Sequence, residues 1–323
     1  MTPRLIPAPQ LERQIFTVAT GEEFRLLALA EFLYQHAFNP VYKKYCNLLK
    51  INPEKVNRLE DIPFLPIDFF KQHRILAGDQ QWEELFVSSG TTNMERSHHY
   101  IRNLELYRQS FLRGFQYFYG SPSDYTILAL LPGYTDNPNS SLIYMVGELI
   151  RQSSYPESGF YLEDHQKLLT ILKRFNKEGR KTLLLGVSFA LLDLAERDPV
   201  KLNNIMVMET GGMKGRREEL TREELHHRLT KGLGVQSIHS EYGMAELLSQ
   251  AYSKGSGKFY SPPWMKVMTR DYYDPFQIQD PGKSGGINII DLANLYSCPF
   301  IETKDIGRIN TDGSFEVLGR FDH

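Results

Sequence analysis

The chain has 323 residues, of which 41% are hydrophobic and 24% charged, and its formal net charge is −2. That length can bury a large core, and the near-neutral charge argues against nucleic acid or an anionic membrane as the main partner. Two cysteines, Cys46 and Cys298, exclude a disulfide framework or a cysteine metal cage. The N-terminus lacks the apolar core of a secretory signal, and no apolar run reaches the roughly 18 residues that span a bilayer. A soluble, cytoplasmic protein is expected.

In chain order, residues 1–80 read as mainly helical and then loop-like. Between Glu22 and Leu49, Phe24, Leu27, Ala30, Leu33, Tyr34 and Ala37 recur near the helical period. Pro53, Pro63 and Pro66 then break the pattern into a connector. Residues 81–254 alternate strand and helix patterns. Strands are expected at Leu85–Ser88, Tyr125–Leu131, Lys181–Leu185, Ile205–Met208 and Val235–His239. Helices are expected at Asn103–Tyr119, Leu142–Arg151, His165–Asn176, Phe189–Arg197 and Arg216–Gly232. This alternation predicts an α/β fold with a largely parallel sheet. Residues 255–323 are β-rich, with short runs at Trp264–Thr269, Gly286–Asp291, Gly307–Asn310 and Ser314–Leu318 and a hairpin signal at Asp312-Gly313.

Five loops carry groups suited to binding a nucleotide. Ser88-Ser89-Gly90-Thr91-Thr92-Asn93 offers backbone N–H groups and hydroxyls to phosphate oxygens. Glu209-Thr210-Gly211-Gly212-Met213 ends a strand with paired glycines, which let a flat ring approach the backbone. Ser240-Glu241-Tyr242-Gly243-Met244-Ala245-Glu246 supplies an aromatic face, a permissive Gly and a carboxylate suited to Mg²⁺. Thr303-Lys304-Asp305-Ile306-Gly307 holds an acceptor for ribose hydroxyls, and Gly319-Arg320-Phe321-Asp322 a cation for phosphate or ribose. Each loop alone is also an ordinary turn; their order and spacing are what is specific.

With these five segments in this order, the sequence resembles the adenylate-forming superfamily of acyl-CoA synthetases, adenylation domains and luciferases. It is most similar to the LuxE-type acyl-protein synthetases, through LALLPGYTDNPNSSLIYMV, ETGGMKGRREELTREELH, IHSEYGMAELLSQAY, DLANLYSCPFIETKDIGR and FEVLGRFDH. The resemblance implies the large-domain fold of that superfamily, with mostly parallel sheets flanked by helices and a smaller β-rich C-terminal part. It implies activation of a carboxylic acid, by first expectation a fatty acid and then an aryl acid, with ATP and Mg²⁺. The acyl group then passes to a thiol, whether a protein cysteine, an acyl carrier, coenzyme A or a partner reductase. Carried over by position, Ser88, Ser89, Gly90, Thr91 and Thr92 would cradle phosphates, and Gly211, Gly212 and Met213 would line the adenine. Tyr242 would stack on adenine, with Gly243, Met244 and Ala245 in the same binding turn. Glu246 would hold Mg²⁺, and Asp305 and Arg320 would bond the ribose, Arg320 also serving catalysis. Pro132, Gly133 and Tyr134 fall where an aromatic gate on the acyl pocket is often found. His239 either faces the acyl carboxylate or is a satisfied buried histidine.

The sequence departs from the superfamily pattern in four places. Asn93-Met94-Glu95-Arg96 replaces the usual Gly-x-Pro-Lys, with Arg96 in place of the Lys, and Ala245 stands where Thr is usual. Losing that hydroxyl costs roughly 1.5–3 kcal/mol if it met a charged group. The chain stops at His323, just past the hinge segment, without the C-terminal lid domain and without the tail that carries an acyl-accepting cysteine; either the sequence is truncated there or the acceptor is another thiol, such as coenzyme A or a carrier pantetheine. Cys298 is either a thiol nucleophile or a buried structural cysteine, and Cys46 is expected in the core.

Two rivals stand beside this reading. Gly186-Val187-Ser188-Phe189-Ala190 approaches a nucleophile elbow, giving a Ser188 acyltransferase with His239 as base. A non-catalytic nucleotide-binding partner subunit is the other. Gly282-Lys283-Ser284 is half a P-loop, with Gln277 where the loop needs glycine, and the adjacent pairs His98-His99 and His226-His227 lack metal-ligand spacing, the second fitting a solvated helix face.

Overall fold

Helices α1 (Ala8–Ile15), α2 (Gly21–Phe38) and α3 (Pro40–Leu48) open the chain in the computed structural model, which describes residues 5–79, 81–89, 95–133, 137–211 and 220–321. A capping box starts α2: Thr20 Oγ1 accepts from the Glu23 amide at 3.2 Å and Glu23 Oε2 from the Thr20 amide at 2.9 Å. The apolar period read from Glu22 to Leu49 therefore belongs to two helices. Pro40 cannot continue α2; it sits at the first position of α3, and Asn39 caps that helix through the Tyr42 amide at 3.2 Å. Along α2 and just past it, Glu31, Gln35 and Asn39 form a fully buried polar stripe at four-residue spacing.

The proline-rich connector contains the two-residue strand β1 (Leu65–Pro66) and the short helix α4 (Phe69–Gln72). Strands β2 (Glu84–Val87) and β3 (His98–Ile101) then pair antiparallel, Val87 opposite His98, and α5 (Leu104–Tyr119) follows.

A six-stranded sheet forms the α/β body in the order β5-β4-β6-β7-β8-β9. Its elements run β4 (Thr126–Leu130), α6 (Ser141–Gln152), β5 (Gly159–Phe160), α7 (His165–Glu178), β6 (Thr182–Val187) and α8 (Ser188–Arg197). They continue with β7 (Ile205–Thr210), α9 (Arg222–Leu233), β8 (His239–Tyr242) and β9 (Ala251–Ser253). Pairs from β5 to β8 are parallel, and β9 returns antiparallel along β8. Strands β4 and β6 are buried along their whole length, as continuous apolar runs covered on both faces must be.

A second sheet carries β10 (Met265–Arg270), β11 (Ser284–Asp291), β12 (Phe300–Ile309) and β13 (Phe315–Arg320). Its order is β1-β12-β11-β10, with β13 on β12; all pairs are antiparallel except β1 with β12. Gly313, at φ +81°, turns the β12–β13 hairpin. Buried Arg270 holds three strands together: its guanidinium donates to the carbonyl oxygens of Ile287 and Thr303, at 2.9 and 2.7 Å, and to Asn288 Oδ1 at 2.8 Å.

Three elements differ from the sequence expectation. The strand expected at Val235–His239 begins at His239, where pairing with Met208 of β7 starts, so Glu241 and Tyr242 lie within a strand rather than a loop. The charged helix starts at Arg222, because Thr221 caps it through the Glu224 amide at 3.2 Å; residues 216–219 lie outside the described residues. The run at Gly307–Asn310 is the end of the ten-residue β12, whose alternating Glu302, Thr303, Lys304 and Asp305 hid its first half. No helix among the described residues is long and apolar enough to cross a membrane.

Candidate active site

The β2–β3 hairpin brings its two ends to one place. Past β2, the Ser88 amide donates to the Ser97 carbonyl at 3.1 Å, and the Ser97 amide donates to Ser88 Oγ at 2.9 Å. Ser88 is half-buried and Ser89 exposed; Gly90, Thr91 and Thr92 lie outside the described residues. The Ser97 side chain lies near enough to the Glu246 carboxylate to favour its ionised form, so the loop begun at Ser88 and the carboxylate of the third segment share one neighbourhood. Glu246 is 5% exposed; burial raises its pKa, against the Ser97 side chain and the positive charge of Arg320.

Strand β7 ends at Thr210, and Gly211 follows at φ +72°, a left-handed conformation that favours glycine. Gly212 and Met213 lie outside the described residues. Thr210 donates through Oγ1 to Oε2 of Glu241, its register partner on β8. Glu241 is buried, and desolvation pushes its pKa up to about 7, with repulsion from Glu209 acting the same way. A Cβ at Gly243 would lie 2.3 Å from Glu241 Oε1, so this glycine is required by the close approach of a pinned carboxylate.

Tyr242 closes β8 at the seam between the two sheets. Its hydroxyl donates to Asp305 Oδ2 of β12 at 2.6 Å, and its ring packs edge-on against Phe259 and Phe315 at 5.9 and 5.4 Å. Asp305 Oδ1 faces Arg320 Nε at 3.3 Å, because β12 and β13 place Asp305 directly opposite Arg320. Burial raises the Asp305 pKa, while the Tyr242 hydroxyl and the charges of Arg320 and Arg222 act the other way. Glu246 responds electrostatically to both Arg320 and Asp305. Thus Tyr242, Glu246, Asp305 and Arg320, distant in sequence, share one neighbourhood. Gly243 is exposed, and Met244 and Ala245 are half-buried, in the turn that leads from Tyr242 to Glu246.

His239 sits at the start of β8, three residues before Tyr242. Its Nδ1 lies 3.2 Å from the Tyr119 hydroxyl, and burial, with the nearby Lys254 charge, pushes the ring down to about 4. Among the described residues this is a neutral, hydrogen-bonded histidine. Pro132 and Gly133 are half-buried after β4; Tyr134 lies outside the described residues.

Among the described residues the rival nucleophiles find no activating partner. Ser188 is 1% exposed and donates to Glu209 Oε2 at 3.1 Å, while His239 bonds Tyr119 instead. The imidazole nearest this network is His226, 3.5 Å from Glu209 Oε1 and 3.2 Å from Ser240 Oγ. This corrects the expectation of a solvated His226-His227 pair: His227 is exposed, but His226 faces the sheet and ties α9 to β7 and β8. Both thiols are buried; desolvation pushes Cys46 up to about 12 and Cys298 higher still, and Cys298 Sγ donates to the Phe300 carbonyl at 3.4 Å. A buried thiol with a raised pKa is not a nucleophile.

Three further residues border the site. Arg222 opens α9, its guanidinium 4.6 Å from the Phe259 ring centroid and its charge felt at both Asp305 and Glu209. His99 Nδ1 lies 2.7 Å from the Ala245 carbonyl, and Asn294 Nδ2 donates to the Glu246 carbonyl at 2.7 Å. Arg222 lay within a run read only as a charged helix, and His99 within a pair weighed only as metal ligands. Asn294 lay within DLANLYSCPFIETKDIGR, which entered only as part of the family resemblance and was given no role. Among the described residues no group of three or more His, Cys, Asp or Glu side chains is placed to hold a metal ion. Glu246 offers a single carboxylate, which fits an ion that completes its shell with water and phosphate oxygens.

Comparison with known proteins places the fold and the family. ATP-bound MatB from Rhodopseudomonas palustris superposes with a TM-score of 0.55 at 16% identity, over 76% of this chain and 50% of that one. 2-Hydroxyisobutyryl-CoA ligase, in the postadenylation state in complex with R3-HIB-AMP, superposes with a TM-score of 0.67 at 13% identity, over 100% of this chain and 73% of that one. The same ligase in complex with 2-HIB-AMP and CoA, in the thioesterification state, gives 0.65 at 15% identity, over 98% and 72%. The chain thus spans about half the length of MatB. At these identities the likeness is one of fold: a mostly parallel sheet joined to an antiparallel C-terminal sheet, as in the large domain of these ligases. No curated protein matches the chain. The family model described as "Acyl-protein synthetase, LuxE" matches residues 20–321, and with nearly the whole chain matched, the protein belongs to the LuxE acyl-protein synthetase family.

Proposed function

We propose that the protein condenses a carboxylic acid with ATP to an acyl-adenylate and then passes the acyl group to a thiol. The observation that carries this reading is the convergence of Tyr242, Asp305, Arg320 and Glu246 at the seam of the two sheets. Family membership and the ATP-bound and adenylate-bound ligases of the same fold support it.

In the first step an oxygen of the acid attacks the α-phosphorus of ATP, the bond to the β-phosphate oxygen breaks, and pyrophosphate leaves. In the second a thiolate attacks the acyl carbon and AMP leaves with the electron pair. The protein's part is positioning and charge neutralisation. Asp305 accepts from ribose hydroxyls, Arg320 supplies the cation beside them, and Gly211 with Tyr242 borders the adenine. Ser88 and Ser89, with Gly90, Thr91 and Thr92, cradle the phosphates. Glu246 holds Mg²⁺, which when bound supplies a Lewis acid for the phosphate charge. The acid is a fatty acid by family likeness, and the acceptor is a thiol other than the buried Cys46 and Cys298, whether of coenzyme A, a carrier or a protein.

The test is ATP–pyrophosphate exchange with Mg²⁺ against short, medium and long fatty acids and aryl acids. Acid-dependent exchange is expected. AMP binding with no exchange for any acid would overturn the reading and leave a nucleotide-binding subunit.

A further inference from the structure

The turn that carries Glu246 is held from beneath by residues of two other elements. Its own hydrogen bond runs from the Leu247 amide to the Met244 carbonyl at 3.1 Å. The carbonyls of Ala245 and Glu246 are taken up from outside, by His99 Nδ1 of β3 at 2.7 Å and by Asn294 Nδ2 at 2.7 Å. Since Ala245 offers a carbonyl oxygen, His99 Nδ1 carries the hydrogen, and Nε2 of the neutral ring is left as an acceptor. Asn294, donating through Nδ2, is left with Oδ1, also an acceptor. Neither His99 Nε2 nor Asn294 Oδ1 has a hydrogen-bond partner of good geometry among the described residues; the two fully buried side chains lie close enough that Asn294 acts to raise the ring's pKa, against the burial that lowers it.

Both also line one cavity, with Asn103, Leu248, Ala293 and Ser297 among its walls, of about 10 Å³. That is about the room one water needs, and a water is the smallest molecule with two donors for two acceptors. The far side of Asn294 is anchored in turn. Gln35 Nε2 donates to the Leu295 carbonyl at 2.6 Å, Asn39 Nδ2 to the Ser297 carbonyl at 2.9 Å, and Ser297 Oγ to the Ile75 carbonyl at 3.2 Å. Asp291, just before, accepts from the amides of Leu248 and Ser249 at 2.8 and 3.0 Å. The buried polar stripe associated with α2 therefore reaches the turn through residues 291–297.

We infer that His99 and Asn294 are positioning residues that aim the Glu246 carboxylate by fixing the two carbonyls of its turn, closed by one water shared between His99 Nε2 and Asn294 Oδ1. What the aimed carboxylate is used for rests on the acid-activation reading; the clamp itself does not.

Two measurements separate these. In ATP–pyrophosphate exchange, Asn294→Ala and His99→Phe should each lower kcat about ten- to a hundredfold and raise the Mg²⁺ requirement, with AMP affinity held within about twofold. His99→Asn, which restores a donor toward Ala245, should recover most of the loss. Exchange equal to wild type in Asn294→Ala that still unfolds cooperatively would overturn the inference. Independently of activity, ¹⁵N NMR of the histidine-labelled wild type should show His99 as the Nδ1-protonated tautomer; the Nε2-protonated form would sink the clamp even if exchange is robust. A wild type with no exchange but the expected tautomer would end the catalytic reading and leave the clamp standing.

Discussion

Tyr242 and Asp305 join the two sheets through one hydrogen bond, 2.6 Å from the tyrosine hydroxyl on β8 to the aspartate on β12. The carboxylate is the centre of a small triad, since its other oxygen faces Arg320 at 3.3 Å. Removing the hydroxyl leaves a buried carboxylate with one partner fewer. Tyr242→Phe is expected to lose roughly 1.5–3 kcal/mol of unfolding stability, the range for a hydrogen bond to a charged group. AMP affinity should fall as well, because Asp305 loses the bond that orients it. Urea unfolding and calorimetric titration with AMP check both; unchanged values would show the bond to be incidental.

Glu246 allows stability and activity to be separated. Burial raises its pKa, so its ionised form is kept in the folded state at a cost. Glu246→Ala is therefore expected to abolish acid-dependent exchange while leaving the melting temperature unchanged or higher. A variant that keeps exchange refutes the metal-holding role, and one that unfolds would show that Glu246 is needed chiefly for packing.

Glu241 gives a pH dependence with a definite sign. Its pKa is raised from 4.5 to about 7 by burial. Between these values the unfolded chain has released the proton and the folded chain retains it, so stability falls as pH rises through that window. The contribution is fully present below pH 4.5 and lost above about pH 7. Glu241→Gln keeps an acceptor for Thr210 and removes the titration. The difference in stability between wild type and variant should shift by up to about 3 kcal/mol from one end of the window to the other. Urea unfolding at several pH values measures it, and a difference independent of pH contradicts the assignment.

Much of this architecture was legible because it rests on apolar periodicity. β4 and β6 are unbroken hydrophobic runs, and α5, α6 and α7 begin and end within two residues of their expected limits. The strand at Tyr242 was misplaced because Ser240, Glu241 and Tyr242 look like a loop; their burial comes from β7, β9 and β12, which no local pattern shows. The same holds for the site. Asp305 and Arg320 could be named from sequence order, but their pairing depends on the β12–β13 register. The role of His99 and Asn294 could not be read at all, because what they bind is backbone carbonyl, which carries no residue signature.

The candidate nucleophiles provide the remaining prediction. Ser188 donates to the buried Glu209, and Cys298 donates to a carbonyl beneath the second sheet. Among the described residues neither bonds an imidazole that could accept its proton, and the thiol pKa is raised rather than lowered. Ser188→Ala and Cys298→Ala should therefore keep exchange and acyl transfer to an added thiol within about threefold of wild type, with a stability loss of roughly 1.5–3 kcal/mol for the bond to the Glu209 carboxylate and about 1 kcal/mol for the bond to a carbonyl. A fluorophosphonate should leave Ser188 unlabelled. A thiol reagent should find neither cysteine in the native protein and both after denaturation, since both are fully buried. Covalent labelling of Ser188, or an acylated Cys298 recovered after incubation with ATP and acid, would make one of these side chains the nucleophile and overturn their exclusion.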